Sequence, residues 1–352
     1  MTVPSYWPSS NNRIAIVAEA PGQTEETQGQ PLVGASGILL NSVLNQAGIN
    51  HIECFKTNVF DTRPPGNDVG TFCVDKKTIG RGYSLPPLGP GQYVKHEHLQ
   101  NLSRLCNELT QFNPNVIFAL GNTAIWALLH RTGIKKLRGA VANCVLVPGL
   151  KVVPSYHPAA VLRAYDLRVV LVADALKVAQ ESLFPETRRK ARTLYVPETV
   201  KEAEQLFGDL LPSGTLCSVD IETRGGTTLT CIGFAPTNTT GFVIPFWHST
   251  RPGNHYWQKA EDELQVYKLV RKCLQDPSIL KLGQNFVGYD IWFMAEKLKI
   301  FTQGWLHDTM FQAHALQPEM DKDLGFLASI HCDEPAYKLF RPRGQATEKR
   351  DE

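Results

Sequence analysis

No apolar run in the chain approaches the ~20 residues that a membrane-spanning helix needs. Residues 1–12 carry Pro, Ser and Asn where a secretory signal would carry an apolar core. These absences predict a protein that stays in the cytoplasm of the cell that makes it, with no membrane partner. The eight cysteines, at positions 54, 73, 106, 144, 217, 231, 273 and 332, include no close C-x-x-C pair. That spacing speaks against a zinc or iron–sulfur site held by sulfur, and reduced thiols are the expectation in a cytoplasm. An excess of one charge is lacking as well: 36 Lys and Arg against 34 Asp and Glu leave a net charge of +2. Such a balance neither demands nor excludes a polyanionic partner, because nucleic-acid binding depends on where the charge sits. The one dense basic stretch, Arg188, Arg189, Lys190 and Arg192, reads as a solvated linker.

What the chain does have is the composition of a folded protein, 43% apolar and 20% charged. At 352 residues it is long enough for two domains, each with its own core. Residues 13–18 read as a buried strand that empties into a loop at Pro21-Gly22, and residues 37–48 have helical spacing. A second strand ends at Asn58-Val59-Phe60, and the Gly- and Pro-rich stretch 61–95 reads as a long excursion with little regular structure. A helix near 96–111, a strand at 115–120, a helix at 122–130, a strand near 144–147, a loop at 154–158 and a helix at 166–183 follow. Strands alternating with helices predict a three-layer α/β/α domain over 1–183, with its site at the strand ends. Pro185, the basic cluster and Pro197 interrupt the periodicity, so 184–196 is read as a basic linker. A second α/β domain is expected over 197–340, with strands at 216–221, 230–234, 241–245 and 279–282 and a helix at 260–275. Residues 341–352 form a polar tail.

In the first domain three loops stand out, each just after an expected strand, so that all three can converge on one face of the sheet. The first runs Glu19-Ala20-Pro21-Gly22, then Gly29-Gln30-Pro31-Leu32-Val33-Gly34-Ala35-Ser36-Gly37. The second is Thr57-Asn58-Val59, followed by Arg63-Pro64-Pro65-Gly66-Asn67. The third is Ser155-Tyr156-His157-Pro158, followed by Leu162-Arg163. Alone, an Asn after a strand is usually a turn residue and a His-Pro pair a loop turn; three such loops in this order make a specific pattern. Over roughly residues 13–180 that pattern resembles the uracil-DNA glycosylase superfamily, especially its family 4 and family 5 members.

The resemblance implies a pocket for an extruded base, because a base inside a duplex cannot be reached. Pro21 and Gly22 would shape a tight loop that lets backbone approach the base and phosphates. Asn58 would read uracil O4 and N3–H, since an amide offers both an acceptor and a donor. His157 would donate to uracil O2 as negative charge develops on the leaving base, and Glu19 would position a water or stabilise the sugar cation. Leu162 and Arg163 would fill the gap left by the flipped base, with Arg163 near phosphate. Where family members commonly carry an aromatic that stacks on uracil, worth ~1–3 kcal/mol per base, this chain has Leu32. Family 4 enzymes hold an iron–sulfur cluster through cysteines that include a close N-terminal pair. That pair is missing here, so no cluster is expected.

In the second domain, Val219-Asp220-Ile221-Glu222-Thr223 places two carboxylates on alternate residues of a strand end, hence on one face. Gly283-Gln284-Asn285 leads to Tyr289-Asp290, and His307-Asp308-Thr309-Met310 precedes Leu316-Gln317-Pro318. Over about 194–340 this series resembles the DEDD 3′→5′ exonuclease domain of family A DNA polymerases, an RNase H-like α/β fold. The resemblance implies Mg2+ or Mn2+ held by Asp220, Glu222 and Asp290, with Asp308 structural. The fourth acidic residue of that family stands in a Tyr-x-x-x-Asp segment. After Tyr337 this chain runs Lys-Leu-Phe-Arg-Pro-Arg-Gly, and Asp333 lacks the right predecessor, so a partial exonuclease domain is expected.

The order of the two modules resembles the N-terminal part of certain bacteriophage DNA polymerases. Three readings stay open. The chain is a phage-type replication or repair protein that recognises and excises uracil from single- or double-stranded DNA. Alternatively it is a non-catalytic scaffold that assists a DNA polymerase chain, or a 3′→5′ proofreading exonuclease completed by another chain.

Overall fold

The computed structural model describes residues 1–80, 82–188 and 190–332. Two compact units emerge: Met1–Arg188 together with the segment from Gly325, and Arg189–Leu324. The first unit opens with β1 (Ile14–Ala18), α1 (Gln23–Gln28), α2 (Ala35–Gln46) and β2 (Phe55–Asn58). The hairpin strands β3 (Cys73–Val74) and β4 (Tyr93–Val94), with α3 (Lys76–Ile79) between them, precede α4 (Gln100–Phe112). Then come β5 (Val116–Leu120), α5 (Gly121–Leu129), α6 (Ile134–Leu137), β6 (Ala142–Asn143), β7 (Lys151–Ser155), α7 (Pro158–Arg163) and α8 (Leu167–Glu181).

Four parallel strands and one antiparallel edge strand form the sheet of this unit, in the order β2-β1-β5-β7-β6. Each parallel strand is buried along its whole length, as expected of a sheet covered on both faces. Alternation sorts the side chains. Ala15, Val17, Ile117 and Ala119 join the core that holds Leu105, Leu109 and Trp126 of α4 and α5. Ile14, Ile16, Val116 and Phe118 join the core that holds Leu40, Val43, Leu171 and Val178 of α2 and α8. The unit is therefore the three-layer α/β/α fold expected from the sequence.

Two stretches differ from their sequence reading. Residues 144–147 form no strand; the chain turns there, and the strand is β7 at 151–155. Pro154 argues against a strand in sequence because it lacks an N–H. It is accommodated because β6 pairs only with Lys151 and Val152, leaving Pro154 beyond the last pair on that side. The 61–95 excursion is only partly irregular. It contains the β3–β4 hairpin, buries Val69, Phe72 and Val94 in the core, and accepts a hydrogen bond from Trp126 Nε1 at Pro86 O (2.8 Å).

The second unit comprises β8 (Thr193–Tyr195), α9 (Val200–Leu210), β9 (Leu216–Arg224), β10 (Thr228–Ala235), β11 (Thr240–Pro245) and α10 (Ala260–Gln275). β12 (Leu280–Gly283), α11 (Ile291–Leu298), β13 (Trp305–Asp308) and α12 (Thr309–Leu316) follow. Its sheet runs β13-β12-β9-β10-β11-β8. β9, β10 and β11 form an antiparallel meander, and β12 and β13 continue past β9 in parallel. That strand order is RNase H-like, in a sheet that mixes parallel and antiparallel pairs. Its own core gathers Val219, Ile221, Phe234, Phe242, Val266 and Met294.

The last described helix, α13 (Leu324–His331), falls within the sequence range assigned to the second domain, yet from Gly325 on it packs with the first unit. Residues 333–340 and the tail 341–352, with Asp333 and Tyr337, lie outside the described residues, as does Arg189 of the basic cluster. Within that cluster, Arg188 pairs with Glu186 (2.5 Å) and Arg192 Nε donates to Asn238 O (3.2 Å). Among the described residues no helix is long and apolar enough to cross a membrane.

Candidate active site

In the first unit the chain leaves β1 towards β2 on one side, and β5 lies on the other. The strand order thus reverses at β1, and open α/β sheets place ligands at the C-terminal ends of the strands beside such a reversal. A cleft of about 570 Å³ sits there. Its walls come from the C-terminal ends of all four parallel strands: Glu19, Ala20, Pro21 and Gly22 after β1, Asn58 at the end of β2, Gly121 and Asn122 after β5, Tyr156 and His157 after β7. Leu32, Ser36, Pro64, Asn67 and Arg163 are among the other residues that line it.

The first loop is tied by a residue the sequence reading passed over. Glu25, on α1 and only 9% exposed, accepts from Gly22 N (3.2 Å) and Gly34 N (3.0 Å). One carboxylate thereby fixes both halves of the loop. Leu32 stands in the left-handed region at φ 59° and is 6% exposed. It lines the cleft and also belongs to the core beneath. Its carbonyl lies where a Cβ on Gly37 would stand, at 1.7 Å, so only glycine fits at that point of α2. Glu19 accepts a hydrogen bond from the Thr123 hydroxyl in the first turn of α5.

Asn58 ends β2 with 5% exposure. Its backbone is held from behind by Arg104 of α4, whose Nη2 donates to Asn58 O (2.7 Å) and Val59 O (3.0 Å). Arg104 Nη1 donates to both Glu108 oxygens at 2.8 Å. The Asn58 side-chain amide makes no hydrogen bond among the described residues and stands at the cleft wall.

His157 is the N-cap of α7, and its Nδ1 accepts from Ala159 N (3.2 Å). A backbone N–H can only donate, so Nδ1 carries no proton and the ring proton stands on Nε2. Burial first, then the charge of Arg163, pushes the pKa of His157 down to about 4. The ring is therefore a neutral donor at neutral pH. Gly121, at φ 87°, would bring a Cβ to 3.1 Å of His157 Cβ, so the glycine lets β5 end close against the imidazole. Arg163 lines the cleft from the last turn of α7, and Leu162 beside it is 49% exposed.

The carboxylates of the second unit gather at β9 without forming a cation cage. Asp290, 4% exposed, turns its Oδ1 onto the backbone of Ile221 (2.9 Å), between Asp220 and Glu222. Burial raises its pKa to about 7, with Asp220 and Asp308 adding to the effect. Desolvation, then Glu222, raises the pKa of Asp220, although that residue as a whole is exposed. Asp308 accepts from Asn285 N, Val287 N and Met310 N (2.9–3.0 Å), a wholly structural use. Among the described residues no group of three or more His, Cys, Asp or Glu side chains could hold a metal ion. Asp220, Glu222 and Asp290 thus meet around β9 but not as a ready-made metal site; the Ile221 N–H takes one lone pair of Asp290 and leaves the others for a cation.

The sequence model of the uracil DNA glycosylase superfamily matches residues 4–180. The chain belongs to this superfamily. A type-4 uracil-DNA glycosylase of Thermotoga maritima is 30% identical over 171 residues, covering 47% of this chain and 76% of the relative. One of Archaeoglobus fulgidus is 31% identical over 188 residues, covering 51% and 83%. Among solved structures, the exonuclease domain of Aedes aegypti Nibbler matches with a TM-score of 0.32 at 14% identity, over 47% of this chain and 82% of that one.

Within the glycosylase unit, each expected residue except Leu162 lines the one cleft. Glu25, Arg104, Thr123 and Asn122 escaped the sequence reading. Asn122 Oδ1 accepts from Gly133 N (3.1 Å) and Ile134 N (3.0 Å), holding the start of α6 beside the cleft. Only Glu25 left a signal in sequence, as an acid three residues after a loop glycine, in the position where a capping box carries its Glu.

Proposed function

We propose that the chain hydrolyses the N-glycosidic bond of deoxyuridine in DNA, with uracil extruded into the cleft of the glycosylase unit. The observation that carries this reading is the hydrogen bond from Ala159 N to His157 Nδ1. It leaves a neutral Nε2–H donor on a cleft wall shared with a free Asn58 amide. The type-4 uracil-DNA glycosylases named above support the substrate. Asn58 pairs with uracil O4 and N3–H. As the C1′–N1 bond breaks, its electron pair goes to the base, and His157 Nε2–H stabilises the charge that collects on O2. Glu19, oriented by Thr123, holds the water whose oxygen bonds to C1′. The water's proton ends on the carboxylate or on the departing base. Arg163 meets a phosphate, and Leu162 fills the vacated place in the stack.

Action beside a DNA polymerase in phage-type replication belongs to the same proposal, and only the order of the two units supports it. The test is release of uracil from labelled single- and double-stranded uracil-DNA in EDTA. Abasic sites should form without metal, and His157→Ala should slow them by ~10²–10³-fold, the usual effect of losing one transition-state donor. Unchanged release by that variant removes His157 from the mechanism. No release by the unaltered protein would favour a scaffold that binds uracil-DNA without cleaving it.

A further inference from the structure

Behind the His157 loop lies a set of polar side chains almost wholly removed from solvent: Arg138 and Asp174 at 1% exposure, Ser155 at 0% and Ser329 at 4%. Arg138 donates from Nε (3.2 Å) and Nη2 (2.6 Å) to the two oxygens of Asp174. The Ser155 hydroxyl donates to Asp174 Oδ2 (2.5 Å), and Arg138 Nη1 donates to Ser329 Oγ (2.8 Å). Lys177 Nζ donates to Gly139 O (2.7 Å), Ser329 O (3.1 Å) and Cys332 O (2.9 Å). The last carbonyls of a helix lack intrahelical partners and carry the negative end of its dipole. A buried ammonium at the end of α13 therefore satisfies both groups at once. Burial pushes the Asp174 carboxyl above its ordinary range, against the pull of Arg138, Ser155 and Lys177.

A buried ion pair is a poor way to gain stability, because apolar residues of the same volume avoid its desolvation. What this one supplies is position. Ser155 is the last residue of β7, and Gly139 N donates to the carbonyl of Pro154 (2.9 Å). Both residues that lead into Tyr156 and His157 are thus clamped, one at its side chain and one at its backbone. A misplacement of ~1 Å at a reacting group can cost 10²-fold in rate.

We propose that the Arg138–Asp174–Ser155 relay, closed by Ser329 of α13, is the positioning device that sets His157 in the glycosylase cleft, so that a helix encoded after the nuclease-like unit is a working part of the glycosylase unit. The proposal rests on the glycosylase reading for its kinetic consequence but not for its geometric one. In the full chain, Ser155→Ala should lower kcat for uracil release by roughly tenfold and Ser329→Ala by a few-fold, with KM within about twofold. The double variant should fall short of the product of the two, because both act through Asp174 and Arg138. Independently of activity, NMR titration should show the His157 ring moving towards the ordinary histidine pKa in both variants as its fixed environment loosens. A His157 titration unchanged in both folded variants overturns the proposal, as do multiplicative effects on kcat. If the unaltered protein releases no uracil, the glycosylase reading fails, while the titration still decides on the relay.

Discussion

Histidine 157 titrates, in the folded chain, near pH 4 instead of its ordinary 6.5, because burial and Arg163 disfavour the imidazolium. Between these two values the unfolded chain takes up a proton that the folded chain refuses. Stability therefore falls as pH drops from 6.5 towards 4, and this contribution is flat above 6.5. Since the neutral ring is the donor, uracil release should stay constant from pH 8 to about 5 and decline only on approach to 4. A pH–rate profile checks this, and a midpoint near 6.5 traceable to His157 would contradict the partly buried, Nε2-protonated ring. At this scale the sequence was informative where chemistry and chain order coincide. Asn58, Glu19 and His157 each follow a strand and carry the residue type that the chemistry needs. Arg104 and Thr123 were silent because their partners, Asn58 and Glu19, stand 46 and 104 positions away. No local pattern records such a contact.

Helices and strands followed their periodicity closely where apolar spacing was strong, as in α10 at 260–275. Periodicity failed where one residue contradicted the element, as Pro154 does in β7. The loop–helix element from Gly22 to Gln46 shows how backbone contact, invisible to periodicity, shapes the cleft. Its α2 helix starts at Ala35 and must pass the Leu32 carbonyl at Gly37. In Gly37→Ala the new methyl would meet a backbone oxygen at 1.7 Å, not the end of a flexible side chain. Either α2 or the Leu32 turn has to move. Overpacking of this kind costs ~1–3 kcal/mol or more, and both Leu32 and Ser36 line the cleft. The variant should therefore melt several degrees lower and bind uracil-DNA more weakly, as thermal melts and DNA-binding titrations can show. A stable variant with unchanged binding would mean that the 32–37 turn yields without disturbing the cleft.

Across the whole molecule, each unit has its own core. The two-unit plan was legible because each unit carries motifs in strand order. The return of α13 to the first unit was not, since it depends on buried Arg138 and Lys177 finding acceptors more than 150 positions away. The second unit carries its cost at Asp290, where burial raises the carboxyl to about 7 from 3.8. A carboxyl raised on folding favours the folded state most at low pH. Its contribution is fully present below 3.8 and is lost as pH rises through 7. Asp290→Asn keeps an oxygen for the Ile221 N–H and removes the charge. At pH 8 it should therefore stabilise the second unit by at most on the order of 4 kcal/mol, and at pH 5 by less than half as much. Hydrogen exchange at the β9 and β12 amides, compared at the two pH values, measures this difference directly. The same charge bears on nuclease chemistry. Two-metal hydrolysis needs a full set of ligands for both ions, and among the described residues no group of three or more His, Cys, Asp or Glu side chains is placed to hold one. Added Mg2+ or Mn2+ should therefore produce no 3′→5′ digestion of labelled DNA by this chain. Digestion that disappears in Asp220→Ala would show that the β9 carboxylates rearrange around added metal. In that case Asp290→Asn would abolish the digestion instead of merely stabilising the fold.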